Sequence, residues 1–264
     1  MSRQISRIIL YLRTLGRIPF LRALVRLAHP KGKASLKTEV FGLEFANPVG
    51  LGNKIDRDCE IYNGLADYGF SFIEVGPLIL NKSIRNAIRH IQNDRPDTIL
   101  AANIARHPSH ENVPDIVRDF LVGFSLLYDF VDMFVLNFTG GSVSTVKSVL
   151  DEILEARIPY DNYKPILVKL SHNIGDEEQK EILSYCMQYG VDGIVAGNIE
   201  NVRRISTFTK GRFPIIGYGG IHSPEQAAAM LDAGASLIEI TSGFVKNGTR
   251  LSKDIIKYLE STRK

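Results

Sequence analysis

The stretch Pro214-Ile-Ile-Gly-Tyr-Gly-Gly-Ile-His-Ser-Pro-Glu-Gln-Ala-Ala-Ala-Met-Leu-Asp-Ala-Gly-Ala-Ser-Leu-Ile-Glu-Ile-Thr-Ser-Gly243 decides the fold. A short apolar run, Ile215–Gly217, enters a turn at Gly219-Gly220. A helical pattern follows, and a second apolar run, Leu237–Ile240, enters a turn at Thr241-Ser242-Gly243. This is strand, helix, strand, with a glycine turn after each strand. Glycine lets backbone N–H groups approach a ligand closely, and a nest of such groups at a helix start favours a phosphate. Two ordinary tight turns would look the same locally, so the meaning of the stretch depends on what it repeats.

It repeats along the chain. Apolar runs occur at Asn47–Leu51, Phe72–Val75, Ile99–Asn103, Met133–Asn137, Ile166–Leu170, Gly193–Ala196, Ile215–Gly217 and Leu237–Ile240. Between most of them lie helical patterns, at Asp58–Tyr68, Val113–Leu127, Ser144–Ala156, Asp176–Tyr189 and Pro224–Ala233, and Leu251–Leu259 closes the chain. Alternating strands and helices predict a parallel sheet, and eight of them predict an α/β fold of the closed (β/α)8 TIM barrel type. An open doubly wound sheet is the weaker reading, because the first strand is not followed by G-x-G-x-x-G. Residues 36–264 form the expected barrel, entered through a hairpin at Lys37–Phe45 that turns near Gly42. Residues 1–35 form a short N-terminal helical extension.

The chain has 264 residues, of which 44% are hydrophobic and 23% charged, enough for one well-buried domain. Two cysteines, Cys59 and Cys186, suit neither a disulfide framework nor a zinc site, which points to a reducing, cytoplasmic setting. The net charge of +3 is unevenly distributed. Nine basic residues precede the first acidic one, Glu39, and removing them leaves the remainder at −6. The basic residues are not interleaved with a stacking platform, so nothing suggests a nucleic-acid groove.

Residues 3–28 read as two short helices broken near Gly16 and Pro19. Ile5, Ile8, Ile9 and Leu12 make one apolar face, and Phe20, Leu21, Leu24, Val25 and Ala28 another, with arginines on the flanks. Three roles fit this pattern. The pair could lie peripherally on an anionic membrane at the inner face of the cell membrane, pack on the barrel floor, or serve as a transit peptide.

In a barrel of this type the site is built from residues just past the strand ends. Here these are Asn53, Lys54, Asp56, Arg57, Asn103, Asn137, Lys169, Asn198, Gly219-Gly220 and Ser242-Gly243. The set holds amides and cations but no Ser/His/Asp arrangement, no paired carboxylates and no metal-ligand cluster. Amides and a lysine around a phosphate site suit a planar heterocycle whose edge offers donors and acceptors. Lys169 or Lys54 as a Schiff-base former is the alternative, and each lone Asn or Lys taken singly reads equally well as a strand-end cap.

With these residues in place, the chain resembles the dihydroorotate dehydrogenase family. The resemblance is carried by Val40-Phe-Gly-Leu-Glu-Phe-Ala-Asn-Pro-Val-Gly-Leu51, Gly69-Phe-Ser-Phe-Ile-Glu-Val-Gly76, Ile166-Leu-Val-Lys-Leu170, Gly190-Val-Asp-Gly-Ile194 and the opening stretch. The basic terminus resembles that of the membrane-associated, quinone-using class. The resemblance implies an FMN barrel of pyrimidine biosynthesis, oxidising dihydroorotate to orotate with quinone as acceptor. It implies that Gly219, Gly220, Ser242 and Gly243 hold the FMN phosphate. Lys169, Asn103, Asn137 and Asn198 would meet the ring or ribityl chain, Gly76 would pass close to it, and Gly52, Asn53 and Arg57 would complete the cofactor wall.

The departures fall on the substrate side. The family's Asn-x-Ser-Ser-Pro-Asn reads Asn137-Phe-Thr-Gly-Gly-Ser142 here, which puts Gly140 at the base position and leaves Thr139 and Ser142 as replacements. The Asn-Arg-x-Gly-Phe-Asn run is missing between Gly76 and Thr98, and the family's Ala-Ala-Gly is Gly52-Asn53-Lys54. A rival reading follows, a divergent barrel that keeps the phosphate pocket but has lost or changed its catalysis, acting as a binding module or on another small substrate.

Overall fold

The computed structural model describes residues 9–14, 18–93, 95–138, 140–171 and 174–263. A two-stranded antiparallel hairpin, β1 (Thr38–Val40) and β2 (Leu43–Phe45), precedes the barrel and turns at Gly42, whose φ is +75°. Eight parallel strands follow: β3 (Val49–Leu51), β4 (Phe72–Leu78), β5 (Ile99–Ala105), β6 (Met133–Phe138), β7 (Ile166–Leu170), β8 (Gly193–Gly197), β9 (Ile215–Tyr218) and β10 (Leu237–Ile240). They close in the order β10-β3-β4-β5-β6-β7-β8-β9. The closed (β/α)8 barrel is therefore as the eight apolar runs predict.

The helices form the outer layer. After α1 (residues 9–14) and α2 (Pro19–Ala28) come α3 (Tyr62–Leu65), α4 (Lys82–Asn93), α5 (Val113–Leu127), α6 (Val143–Arg157), α7 (Asp176–Tyr189), α8 (Ile199–Thr209), α9 (Pro224–Asp232), α10 (Ser242–Asn247) and α11 (Arg250–Thr262). Their starts follow local chemistry. Asn112, Ser142, Asn198 and Ser223 each accept a backbone N–H three residues on, satisfying an otherwise orphaned donor. The expected helix at Asp58–Tyr68 is mostly not one. The Asp56 carboxylate accepts the N–H groups of Glu60 and Ile61 at 2.9 and 3.1 Å, which holds 58–61 in bends and delays the helix to Tyr62.

Period-two alternation sorts the strand residues into two cores. Outward-facing residues such as Ile73, Val75, Leu100 and Val168 pack under the helices. Inward-facing Phe72, Ala101, Met133, Val135, Leu167, Val195, Ile216 and Leu237 fill the barrel together with Val40 and Phe45 of the hairpin. Phe45 meets Phe72 edge-on at 5.6 Å, and a Cβ on Gly193 would come within 2.4 Å of the Phe41 ring. The hairpin thus plugs the N-terminal end, each fully buried large apolar side chain contributing roughly 1.5–3 kcal/mol. The opposite end, where the strands finish, is left for a site.

The N-terminal helices pack on the barrel, but not by a continuous apolar face. Leu12 is buried near Gly64, and Arg22 and Arg26 both pair with the buried Asp67, Arg22 Nε at 2.7 Å. Phe20, Leu24 and Leu27, at helical spacing, point outward with Leu10, Tyr11 and Ile18. Ile5 and Ile8 of the expected first face lie outside the described residues. No helix among the described residues is long and apolar enough to cross a membrane.

Candidate active site at the C-terminal end of the barrel

The inward parity that builds the apolar core also sets its last layer. Two residues beyond Phe72, Ala101, Val135, Leu167, Ile216 and Leu237 stand Glu74, Asn103, Asn137, Lys169, Tyr218 and Glu239. One linked network results. Lys169 Nζ lies 2.7 Å from Glu74 Oε1 and 3.6 Å from Glu239 Oε2. Asn103 Nδ2 donates to the same Glu74 oxygen at 2.7 Å, and Asn137 Nδ2 donates to Asn103 Oδ1 at 3.1 Å. The Tyr218 ring covers the ammonium at 4.7 Å, in space that Gly197 leaves open.

Three charged groups are buried here together. Glu74, Lys169 and Glu239 are 0%, 8% and 1% exposed at their side chains. Burial opposes the charge on Lys169, yet the attraction of Glu74 and then Glu239 outweighs it and raises its pKa. A lysine held charged is a poor Schiff-base nucleophile, so the geometry supports a cationic donor instead. Burial, followed by the charge of Glu74, pushes Glu239 well above the ordinary carboxylate range, and Lys169 only partly offsets this.

Beside this floor opens a cavity of about 440 Å³ at the ends of β3, β9 and β10. Asn53, Lys54, Tyr218, Gly219, Glu239, Thr241 and Ser242 line it. Lys54 does not fill it. Its side chain is exposed at the rim, and its N–H donates to Gly76 O at 3.3 Å. Gly219 and Gly220 have φ of +84° and +76°; a Cβ on Gly220 would meet nothing within 4 Å, and one on Gly219 only Asn198 N at 3.6 Å. The turn is therefore open, with space beside both glycines.

Other expected residues have different duties. A Cβ on Gly243 would come 2.1 Å from Ile221 O, and one on Gly76 2.6 Å from Asn103 O, so close backbone packing explains both glycines. Gly52 leaves room for Thr241 Oγ1 and Glu239 Oε2, which a Cβ would approach to 2.5 and 3.0 Å. Asn198 is exposed and caps α8, and Arg57 is exposed after the β3 turn. Of the two proposed replacement bases, Ser142 caps α6 and bonds to Ser144 and Thr145, while Thr139 lies outside the described residues. Gly140 is exposed with φ +86°.

Glu74, Tyr218 and Glu239 escape a search for polar residues past strand ends because they lie inside the strands. The signal was a lone acid in Phe-Ile-Glu-Val and in Leu-Ile-Glu-Ile, at inward parity. A second missed feature is the loop after β5. His110 Nδ1 lies 2.8 Å from Oδ2 of the buried Asp119, which also accepts the His107 N–H at 2.7 Å, and His107 Nδ1 lies 2.7 Å from Ser109 Oγ. Among the described residues no group of three or more His, Cys, Asp and Glu could hold a metal ion.

Comparison with known proteins agrees with this architecture. Residues 196–262 match the family described as dihydroorotate dehydrogenase. A protein of Christiangramia forsetii named dihydroorotate dehydrogenase (quinone) is 26% identical over 93% of this chain and 90% of its own length. One of the same name from Pectobacterium atrosepticum is 27% identical over 83% and 85%. Among solved structures, ligand-free DHODH of Eimeria tenella superposes with a TM-score of 0.81 at 17% identity, covering 97% of this chain and 93% of that one. The complex of the Eimeria tenella enzyme with ferulenol gives 0.77 at 18% identity.

Proposed function

We propose that this chain, which belongs to the dihydroorotate dehydrogenase family, is an FMN-dependent oxidoreductase that converts dihydroorotate, or a small molecule like it, to orotate or its counterpart, with a quinone as acceptor. The observation that carries the reading is the open, left-handed Gly219-Gly220 turn at the edge of a cavity that Gly219 lines together with Asn53, Thr241, Ser242, Tyr218 and Glu239, the last two belonging to the buried polar network. The residues present fit FMN best at its phosphate end. There the N–H groups of Gly219, Gly220 and Ser242 would hold the phosphate, and Asn53 and Thr241 would face the ribityl chain. At the ring end Lys169 and Glu239 would meet the polar edge, with Tyr218 as a wall.

When bound, FMN supplies a hydride acceptor that passes electrons on to the quinone. The chain's own residues bind and orient. Lys169 stays cationic at the cavity floor, and the inner network fixes its position without further ordering at each turnover. Removal of the substrate proton needs a base, and Gly140 offers none. His110, in the loop after β5 and held by Asp119 at 2.8 Å, is the imidazole offered for this role.

One observation favours a second reading. Asn103, Asn137 and Lys169, expected to greet the ring, are bonded to one another and to Glu74. A barrel that keeps the phosphate pocket but acts on another small substrate, or only binds, accounts for this. Absorption spectroscopy separates the readings. The purified chain incubated with excess FMN and desalted is expected to be yellow, and anaerobic dihydroorotate to bleach it. A colourless protein refutes the flavin assignment; a yellow one that dihydroorotate does not bleach supports the second reading.

The outward stripe Phe20, Leu24 and Leu27 supports peripheral attachment of residues 1–35 to the inner face of the cell membrane, with 36–264 as the barrel. The same helices frame a groove of about 480 Å³, with Leu12, Pro19 and Ile61 among its walls, which suits an amphiphilic acceptor. Replacing Phe20, Leu24 and Leu27 by serine should abolish co-sedimentation with anionic vesicles and leave the fold intact. Unchanged sedimentation refutes the attachment.

A further inference from the structure

Glu74 Oε2 and Glu239 Oε1 are buried and find no donor among the described residues. A buried carboxylate oxygen without a donor is costly, by roughly 1–3 kcal/mol or more for a charged group. Two carboxylates facing one ammonium would also leave a net negative charge in a nearly sealed space. Both carboxyl groups meet at the one Lys169 ammonium, Glu74 Oε1 at 2.7 Å and Glu239 Oε2 at 3.6 Å, so a single proton held by the pair relieves both problems. It turns one acceptor-only group into a donor and makes the trio of Glu74, Lys169 and Glu239 neutral. The other side chains that face the pair are Tyr218 from β9, over Lys169, and the uncharged Asn103 from β5 and Thr241 beyond β10.

We propose that Glu239 enters the cavity as a neutral carboxylic acid, sharing one proton with Glu74, and that the cavity floor is thereby a donor surface selecting a ligand with a carbonyl or ring-nitrogen acceptor edge. It rests on the reading of the cavity as the seat of a phosphate-bearing heterocycle. A fully ionised floor would repel such an edge, whereas an O–H from Glu239 beside the Lys169 ammonium offers two donors to adjacent acceptors. A neutral acid kept in an apolar setting is a donor with little desolvation to overcome when the ligand arrives. The ligand class is thus a phosphorylated compound whose planar end presents acceptors. Cationic or donor-only rings are disfavoured.

Two measurements on the full chain test this. In the infrared spectrum at pH 7, measured in an Asp56→Asn background that removes the other raised carboxyl, the protein is expected to show a protonated-carboxyl C=O band that Glu239→Gln removes and Glu44→Gln, at an exposed position, does not. In FMN titrations between pH 6 and 10, wild-type affinity should fall, by up to about tenfold per pH unit once the shared proton is released. Glu239→Gln, a permanent neutral donor, should bind with a flat pH profile. Absence of the band, or identical profiles for the two proteins, overturns the proposal. Should FMN bind to neither, the flavin reading fails while the band still decides the proton. If Glu239→Gln does not fold, loss of that band on alkaline titration and its absence in Glu74→Gln replace it; a band that survives both refutes the sharing.

Discussion

The two ends of one cavity are built on opposite terms. At the rim, Gly219, Gly220 and Ser242 present backbone to open space, and little else depends on them. At the floor, Glu74, Lys169 and Glu239 depend on one another, and Asn103 and Asn137 are tied in behind them. The rim has the conformation a phosphate site needs in any barrel; the floor is a set of side chains that hold one another. The difference teaches that a ligand grip and a reaction site rest on separate physical requirements. The rim needs only a conformation, whereas the floor is a set of charges that must balance before any ligand arrives.

Removing a charge from the floor should therefore produce the largest effect. Lys169→Met deletes the cation that two buried acids face, and breaking a buried pair by removing one partner costs about 3–5 kcal/mol. Urea denaturation at pH 7 should show this loss, and it should shrink at lower pH as the second carboxyl takes up a proton. A loss under 1 kcal/mol at pH 7 would show that the ammonium does not hold the floor together.

Titration distinguishes the ends more finely. Asp56, below the rim, is pushed up to about 7 by burial, with the N–H groups of Ile61 and Glu60 pulling the other way. Glu239 is raised for the same leading reason. In both cases the folded state binds a proton more tightly than the unfolded chain. The stability each proton contributes is therefore complete below the unfolded value, 3.8 for Asp56, and is lost as pH rises through the folded one. For Asp56 the loss is on the order of 2–4 kcal/mol between about pH 4 and 8. Thermal melts of Asp56→Asn should be flatter than wild type across that interval, and those of Glu239→Gln flatter at its alkaline end. A wild-type melting temperature that rises from pH 5 to 8 would contradict both assignments.

Much of this was legible in the chain. Ile166–Leu170, Leu237–Ile240, Val113–Leu127 and Asp176–Tyr189 are elements with the boundaries their patterns predict. α4 did not stand out, because among its described side chains only Ile84, Ala87 and Ile91 are buried in a largely polar helix. The hairpin and the glycine turns were visible because turn chemistry is local. The floor was not, since Glu74 and Glu239 lie far apart in sequence and meet only through closure of the barrel. Nor does sequence show that the arginines of α2 face Asp67 while its apolar stripe faces out, because that depends on a single buried acid.

The smallest effect on the fold belongs to the rim. Gly220→Ala places a Cβ in open space, so no neighbour has to move, and its only structural cost is the left-handed backbone at φ +76°. That cost is about 1–2 kcal/mol. The methyl group would project where a phosphate is expected to sit, so FMN affinity should fall by at least tenfold while urea stability moves by no more than that backbone cost. Free phosphate offers an internal control, since a methyl group that blocks the cradle must weaken competition by phosphate in proportion. If Gly220→Ala leaves FMN binding intact, the cradle is an ordinary turn and the ligand is gripped from the floor. If it abolishes binding while Glu239→Gln only alters the pH profile, grip and chemistry are separate properties of the two ends.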